Sequence, residues 1–435
     1  MSQATIAVGQ GQAASASARR RAIIACAIGN IFELFDFVLY GFFALPISQA
    51  FFPAGNEGTA LINTFITFGV GFLFRPLGAI VIGAYGDKHG RRAALVITVG
   101  LMAAATGFTG LIPTYAQIGF LAPLLLLICR CCQGFSTGGE WGGAAAFLVE
   151  YAPPGRRGLT GSWQQFSTQI GATGASLCGY LLANFMAPDL FSSWGWRIPF
   201  VAGFVLGPIG YYLRTRVSET PAFERNAETK NLAHAPFGET LATRRTEVIQ
   251  AFFLSIIGIV ANYIMLVYMA TYAQKVLGIP QGQAFLSTTL ANVVVMVLTP
   301  FVGALSDRTG RRLPMMACSI LYILLVYPLF LIAANGASFT ALLTAQCAVA
   351  AIQSLYTGTI PSILAEMFPT RLRYTALSMS YGFAVAIFGG FSPLLAEYLR
   401  GHWHPLAPAF LVIAAAIASV TAVWSMKEPL NSQMD

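Results

Sequence analysis

Charge is the property this sequence has least of. Only 10% of its 435 residues are Asp, Glu, Lys or Arg, and 56% are hydrophobic. Ordinary soluble domains carry about 25% charged residues. Apolar runs of about 20 residues, the length that crosses a hydrocarbon layer about 30 Å thick, recur between short polar breaks. The composition predicts an all-α integral membrane protein and excludes a soluble α/β enzyme, which would alternate strands with amphipathic helices.

Catalytic and metal-binding signatures are also scarce. There is no P-loop, and the seven cysteines fall inside apolar runs without zinc-like spacing. All four histidines lie in predicted loops, and His402 and His404 alone are a weak metal signal. We therefore expect no enzyme, no metal site and no cofactor.

The apolar runs predict twelve membrane-spanning helices. The first is a retained span and no signal peptide, because it is too long and contains Glu33 and Asp36. The predicted domains are a disordered cytoplasmic tail at 1–21, a first bundle at 22–216, a cytoplasmic linker at 217–246, a second bundle at 247–427 and a cytoplasmic tail at 428–435. Spans 1 to 12 are predicted at 22–50, 59–84, 93–112, 119–149, 159–186, 197–214, 247–274, 283–305, 314–333, 337–365, 374–398 and 405–426.

The distribution of basic residues orients these spans. With the N-terminus inside, 20 of the 25 Lys and Arg residues fall in cytoplasmic segments and only Lys275 and Arg400 fall outside. Cytoplasmic loops carry an excess of both residue types, so both termini are predicted to be cytoplasmic. The net charge of +8 is then an orientation signal, and we expect no nucleic-acid binding.

Two loop motifs occur twice. Residues 83–92 and 303–312 both read G-x-x-x-D-[KR]-x-G-R-R, with Asp87 and Asp307 lying 220 positions apart. A second pair, at 150–157 and 366–373, repeats with an offset of 216. Two motif pairs at nearly one offset predict duplicated six-helix halves.

The doubled motif resembles the signature of the major facilitator superfamily. Further stretches resemble its metabolite:proton symporter branch, which includes carriers of citrate, tricarballylate, 2-oxoglutarate, shikimate and proline or betaine; these stretches are 29–37, 74–79, 130–136, 140–143, 194–200, 219–223 and 386–393. Within the branch, 75–85 and 117–123 look similar to tricarboxylate carriers.

The resemblance implies two pseudo-symmetric six-helix bundles, symport with protons as the coupling ion, and a monomer surrounded by lipid in a bacterial inner membrane. It also implies a cytoplasmic latch in which charge pairs between helix ends hold the inner gate shut. The predicted gating residues are Asp87, Arg91, Glu150, Arg157, Asp307 and Arg311.

Several charged residues lie where the membrane should exclude them. Each costs at least about 2.5–3.5 kcal/mol at the centre of a span, so such groups normally face a cavity and mark a transport path. Asn30, Glu33, Asp36 and Tyr40 share one face of span 1. Glu33 or Asp36 is the predicted proton carrier, with Glu140, further toward the cytoplasm on span 4, as a third candidate.

Arg75 on span 2 and Arg130 on span 4 are predicted to receive substrate carboxylates, because a guanidinium donates two parallel hydrogen bonds to a carboxylate. An alternative stays open, in which Glu33–Arg130 or Asp36–Arg75 are permanent ion pairs that fix helix packing. The second half shows almost no buried charge, which suggests charge chemistry in the first half and closure by the second. The remaining predicted substrate-binding residues are Gln133, Gln164, Gln165, Tyr40, Asn262, Tyr263 and Tyr356.

The predicted function is import of a small organic anion, a di- or tricarboxylate such as citrate or tricarballylate, in symport with protons. Symport of 2-oxoglutarate, shikimate, proline or betaine, or a transporter-like nutrient sensor, remain the alternatives. A channel is disfavoured because a filter is usually built by several identical subunits.

Overall fold

The computed structural model describes residues 16–52, 57–89, 91–138, 140–150, 152–153, 155–205, 207–208 and 236–426. Every regular element in these ranges is helical. Spans 1 to 6 correspond to Ala16–Phe42 with Ala44–Phe51, Glu57–His89, Arg91–Leu111, Leu121–Ser136 with Glu140–Glu150, Arg157–Phe185, and a last helix that starts at Ile198–Val201. Spans 7 to 12 correspond to Arg245–Lys275, Gln281–Thr309, Arg312–Gly336, Phe339–Thr357 with Ile360–Met367, Thr370–Ala384 with Gly390–His402, and Ala407–Ser425.

Eight of the described helices are long and apolar enough to cross a membrane, and span 1 makes a ninth if its two parts, bent by 65°, are counted together. Span 3 qualifies only as a shorter apolar helix, Val96–Leu111. Span 5 has 29 residues but its buried face is rich in amides and hydroxyls, and span 6 is described only to residue 208. Each predicted span therefore corresponds to a helix or to the start of one.

Two predicted boundaries need correction. The first helix begins at Ala16, so 16–21 of the predicted tail is helical, as Ala and Arg favour; residues 1–15 lie outside the described residues. Within the predicted linker, Pro236–Thr243 forms a helix and span 7 starts at Arg245. Residues 217–235 and the predicted tail at 428–435 are also outside the described residues.

Both spans 7 and 11 contain a π-helical segment, at Asn262–Tyr268 and Val385–Gly389. Single wide turns of this kind are frequent at functional sites. The segment of span 7 faces span 1 of the other half, and the segment of span 11 faces span 2. The halves also meet where span 5 packs along span 8.

Candidate functional site

Close packing of spans 2 and 4 sets the position of the two arginines. A Cβ atom at Gly71 would lie 3.0 Å from the Arg130 carbonyl oxygen, and one at Gly134 would collide with the Gly71 carbonyl. Only glycine allows the two backbones to approach this closely. The contact brings Arg75, one turn after Gly71, to the same neighbourhood as Arg130.

An aromatic wall receives both guanidinium groups. The Arg75 Cζ lies 4.3 Å and the Arg130 Cζ 4.7 Å from the centroid of the Phe37 ring. Tyr40 supplies a second face to Arg130 at 4.6 Å, and Phe72 a second face to Arg75 at 4.7 Å. The ring faces carry negative partial charge, so they stabilise a buried cation without forming an ion pair.

Arg130 is fully buried but only partly hydrogen-bonded. Its Nη1 donates to Gln133 Oε1 at 2.7 Å. Its Nε and Nη2 have no hydrogen-bond partner among the described residues. These two atoms form one edge of the guanidinium, with parallel N–H groups that suit the two oxygens of a carboxylate.

Asp36 is linked to Arg130 through two other side chains. Thr106 Oγ1 donates to Asp36 Oδ2 at 2.8 Å, and Gln133 Nε2 donates to Thr106 Oγ1 at 2.7 Å. Sequence reasoning missed Thr106, because one hydroxyl in the apolar run of span 3 carries no distinguishing signal.

Glu33 and Arg75 form an ion pair at 3.6 Å. The sequence left open the pairs Glu33–Arg130 and Asp36–Arg75, and the structure combines these residues differently. The predicted common face of span 1 also divides among neighbours, since Asn30 donates to Ser167 of span 5 at 3.1 Å while Asp36 meets span 3. Positions three apart are offset by about 60° around a helix, which is enough to face different partners.

The structure places the other predicted lining residues in different surroundings. Tyr263 of span 7 packs its ring against Phe72 at 5.4 Å, so the second half contributes to the aromatic wall beside Arg75. Gln164 is buried and both of its polar side-chain atoms lack partners in the described structure.

Gln165 lies on span 5, where Thr168 Oγ1 donates to its Oε1 at 3.0 Å, and its side chain also hydrogen-bonds with Tyr381 of span 11. Asn262 is half-buried one position before Tyr263. Tyr356 lies elsewhere, because its hydroxyl donates to the Ser255 carbonyl at 3.2 Å within the second half.

In the predicted inner gate, the carboxylate of Asp307 caps the N-terminal end of span 5. Asp307 accepts hydrogen bonds from the backbone N–H groups of Gly158 at 2.7 Å and Leu159 at 2.9 Å. A carboxylate is stabilising there because the first N–H groups of span 5 have no intrahelical partners. The bond joins span 8 of one half to span 5 of the other.

Arg311 stands at the centre of the predicted gate. It contacts Asp307 at 2.9 Å and Glu366 at 3.1 Å, and all three side chains are buried. Burial alone would lower the pKa of the Arg311 guanidinium, but the hydrogen bonds and charges of Glu366 and Asp307 raise it above its ordinary value. Arg157 approaches Glu366 at 3.9 Å.

Glu150 pairs with Arg373 of the other half at 2.7 Å, so Glu150–Arg373 and Glu366–Arg157 are equivalent pairs related by the repeat offset of 216. Glu366 and Arg373 were part of the repeated motif but had not been assigned a gating role. The side chains of Asp87, Arg91 and Glu140 lie outside the described residues.

A buried charge cluster in the second half contradicts the expectation of almost none there. Glu397 is 2% exposed and accepts hydrogen bonds from Tyr268 at 2.6 Å, Lys275 at 2.9 Å and Arg400 at 2.7 Å. The Tyr268 ring packs against Phe65 of the first half at 5.8 Å. The cluster therefore supports a contact between the halves through the Tyr268 ring.

Comparisons with known proteins agree with this architecture. The chain matches the Major Facilitator Superfamily over residues 26–332 and 283–433. The chain belongs to the major facilitator superfamily. It is 39% identical over 411 residues to a citrate-proton symporter of Klebsiella pneumoniae, covering 94% of this chain and 92% of that protein. It is 38% identical over 426 residues to a proline/betaine transporter of Salmonella typhimurium, covering 95% and 84%.

Among solved structures, the xylose transporter XylE from E. coli, in a partially occluded inward open conformation, superposes with a TM-score of 0.78 at 16% identity, covering 96% of this chain and all of that one. At this identity the likeness concerns the fold alone. The predicted all-α membrane fold of two six-helix bundles is confirmed, and the protein is a membrane transporter of this family.

Proposed function

We propose that this protein imports a small organic anion, a di- or tricarboxylate such as citrate or tricarballylate, in symport with protons by alternating access. The proposed setting is a bacterial inner membrane, with both termini cytoplasmic. Arg130 and Arg75 hold the substrate, and Asp36 carries the proton.

The observation that carries this proposal is the unpaired Nε–Nη2 edge of Arg130, fully buried beside the aromatic wall. A buried donor without a partner costs about 1–3 kcal/mol, and more when it is charged. A carboxylate placed against this edge satisfies both donors at once. The edge therefore supports a substrate with at least one carboxylate.

Other unpaired donors support more than one anionic group on the substrate. Arg75 Nε, Gln164 Nε2 and Trp141 Nε1 are all buried and have no hydrogen-bond partner among the described residues. Arg75 also keeps its pair with Glu33 at 3.6 Å, a long contact that a second substrate carboxylate can exchange for a closer one. A tricarboxylate supplies enough acceptors for these groups.

Proton coupling follows from the charge in the site. The formal charges of Arg75, Arg130, Glu33 and Asp36 cancel, so the ionised site has no net attraction for an anion. Protonation of one carboxyl leaves one positive charge in excess, and Coulomb attraction is strong in a site with little water. Glu33 is paired with the charged Arg75, whereas the carboxyl of Asp36 accepts a hydrogen bond from the neutral Thr106 hydroxyl. Asp36 is thus the better proton carrier.

Uptake by proteoliposomes tests the proposal. Labelled citrate and tricarballylate are expected to accumulate under an inward proton gradient, in a saturable way that a protonophore abolishes. Arg130→Lys keeps the charge but removes the bidentate edge, so its uptake should fall by about 10-fold or more, as loss of a charge-assisted hydrogen bond implies.

Arg197→Lys is the matched control, since Arg197 is a buried arginine whose Nη1 donates to the backbone carbonyls of Gly110 and Ile112. Wild-type protein that moves neither acid would contradict the anion assignment. Conductance that does not depend on substrate would contradict symport.

A zwitterion such as proline or betaine is the second candidate, because one guanidinium edge is enough for a single carboxylate and a relative of that activity is 38% identical. Aromatic faces also attract quaternary ammonium groups. Here, however, the guanidiniums already lie over Phe37, Tyr40 and Phe72. Competition distinguishes the two, since excess betaine should leave citrate uptake unchanged if the anion is the substrate.

A further inference from the structure

Asp36 and Arg130 are joined by a continuous chain of three hydrogen bonds through Thr106 and Gln133. All four side chains are buried, and none is more than 6% exposed. The chain runs from span 1 through span 3 to span 4, so it connects the proposed proton carrier with the proposed substrate residue without a direct ion pair.

The direction of every bond in this chain is set by Arg130. A guanidinium has donors and no acceptor, so the carbonyl oxygen of Gln133 must face it. The amide nitrogen of Gln133 then faces Thr106 and donates. The Thr106 oxygen accepts that bond, and the single hydrogen of its hydroxyl is left for Asp36 Oδ2.

We propose that Thr106 is a positioning residue for proton coupling: its hydroxyl keeps Oδ2 of Asp36 as an acceptor, confines the coupling proton to Oδ1, and links the charge of Asp36 to Arg130 through Gln133. This inference rests on the proposed function in one respect, namely that Asp36 carries the transported proton. Protonation at Oδ1 leaves the chain intact, so Arg130 keeps its free edge toward substrate in both charge states.

In this proposal, the hydroxyl also influences the pH at which the proton is released. A hydrogen bond donated to a carboxylate stabilises the ionised form more than the neutral form. Removal of the hydroxyl should therefore let Asp36 hold its proton to higher pH. Among the described residues, the other titratable and charged groups around this part of span 1 include Glu33 and Tyr40 on the same helix, Arg75 on span 2, Arg130 on span 4, Tyr263 on span 7 and Tyr381 on span 11. The side chain of Glu140 lies outside the described residues.

Infrared difference spectroscopy of the full-length protein in lipid, titrated with pH in the absence of substrate, tests this directly. The carbonyl stretch of protonated Asp36 is assigned by its loss in Asp36→Asn. Thr106→Val removes the hydroxyl at nearly constant shape, and Thr106→Ser restores it. Thr109→Val is the matched control, since Thr109 is buried on the same helix and its hydroxyl donates to the carbonyl of Ala105 at 2.9 Å.

The titration midpoint of Asp36 in Thr106→Val is expected to rise by about one pH unit, equivalent to about 1.4 kcal/mol. Its carbonyl band should move to higher frequency, because Oδ2 has lost a hydrogen bond. Thr106→Ser and Thr109→Val should keep the wild-type midpoint and band. If Val is not stably accommodated, Thr106→Ala gives the same comparison.

A Thr106→Val protein with an unchanged midpoint and band overturns the inference about Thr106 and leaves the proposed function standing. A wild-type protein in which Asp36 does not titrate overturns instead the role of Asp36 as proton carrier. Because no substrate is added, neither result depends on citrate being the correct ligand.

Discussion

The two halves of the molecule place their charges at different depths. The repeat offset of 216 carries Arg130 of span 4 onto Gln346 of span 10, and the offset of 220 carries Arg75 of span 2 onto Val295 of span 8. Gln346 is buried like Arg130, but it donates to the Met265 carbonyl at 3.3 Å and to Thr288 Oγ1 at 3.2 Å. The same position thus holds a partly unpaired cation in one half and a satisfied neutral amide in the other.

In the second half, the charged residues lie at the ends of the spans and in the loops between them. The Asp307–Arg311–Glu366 group lies where span 8 ends and span 9 begins, and the Glu397 group lies at the other end of the bundle, beside Lys275 at the end of span 7. Two halves with one architecture have therefore diverged, and under the proposed function the first half contains the groups that bind the anion and the proton. The second half provides charged contacts at the two ends of its bundle. The following predictions test this division.

Arg130→Gln, which gives the first half the residue found in the second, should have the largest effect. It removes the buried guanidinium edge, and we expect transport to fall by about 100-fold or more, since hydrogen bonds to charged groups contribute about 1.5–3 kcal/mol each. Uptake by proteoliposomes measures it. Gln346→Met is the matched control, and we expect it to lower the thermal stability but to leave uptake measurable. Equal losses in both variants would show that the second half takes part in substrate binding as well.

Glu366→Gln should have the next largest effect. It removes the partner of the buried Arg311 and of Arg157, and breaking a buried ion pair costs about 3–5 kcal/mol. Because Asp307 still contacts Arg311, we expect a loss near the lower end of that range. Thermal unfolding in detergent should show a clearly lower Tm, and an unchanged Tm would contradict a structural role for this group.

Glu397→Gln should destabilise the outer side by about 2 kcal/mol, less than for a fully buried pair because water reaches Lys275 and Arg400. Thermal unfolding measures this as well. Tyr268→Phe, which removes one hydrogen bond and keeps the ring contact with Phe65, serves as the milder companion. A larger loss for Tyr268→Phe than for Glu397→Gln would mean that the hydroxyl acts through another group.

Glu150→Gln should have the smallest effect. Glu150 occupies the position equivalent to Glu366, but its side chain is 36% exposed, and exposed ion pairs contribute about 0–1 kcal/mol. Its Tm should fall by much less than that of Glu366→Gln. Similar losses for the two variants would show that the two sides of the predicted inner gate are energetically equivalent.

Much of the fold could be predicted because the length of the apolar runs and the distribution of basic residues can be read directly along the sequence. The predicted spans 2, 7, 8, 9 and 12 each correspond to one long helix. Span 5 is too polar to be recognised by the same measure, since its face toward spans 1 and 8 is lined with amides and hydroxyls. Composition alone misses such a helix, whereas the repeat and the alternation of loops placed it.

The charged residues of the candidate site were the ones that the sequence predicted most clearly. Arg75, Arg130, Glu33 and Asp36 stand out because a buried charge is costly. Which acid meets which base depends on the rotation of spans 1, 2 and 4 about their axes, and the sequence does not determine a rotation of about 60°. Glu397 was missed because Arg400 beside it reads as the start of an external loop, although the helix continues to His402.

The contact between Trp141 and Tyr381 gives the protein a built-in optical reporter. Trp141 lies on span 4 and Tyr381 on span 11, and their rings are stacked with centroids 3.6 Å apart. Since the two rings belong to different halves, a rocking motion that separates span 4 from span 11 would unstack them and expose the indole to a more polar surrounding. Substrate and pH can therefore be varied while indole emission is followed in unlabelled protein, with Tyr381→Leu identifying the contribution of this one indole among the six present.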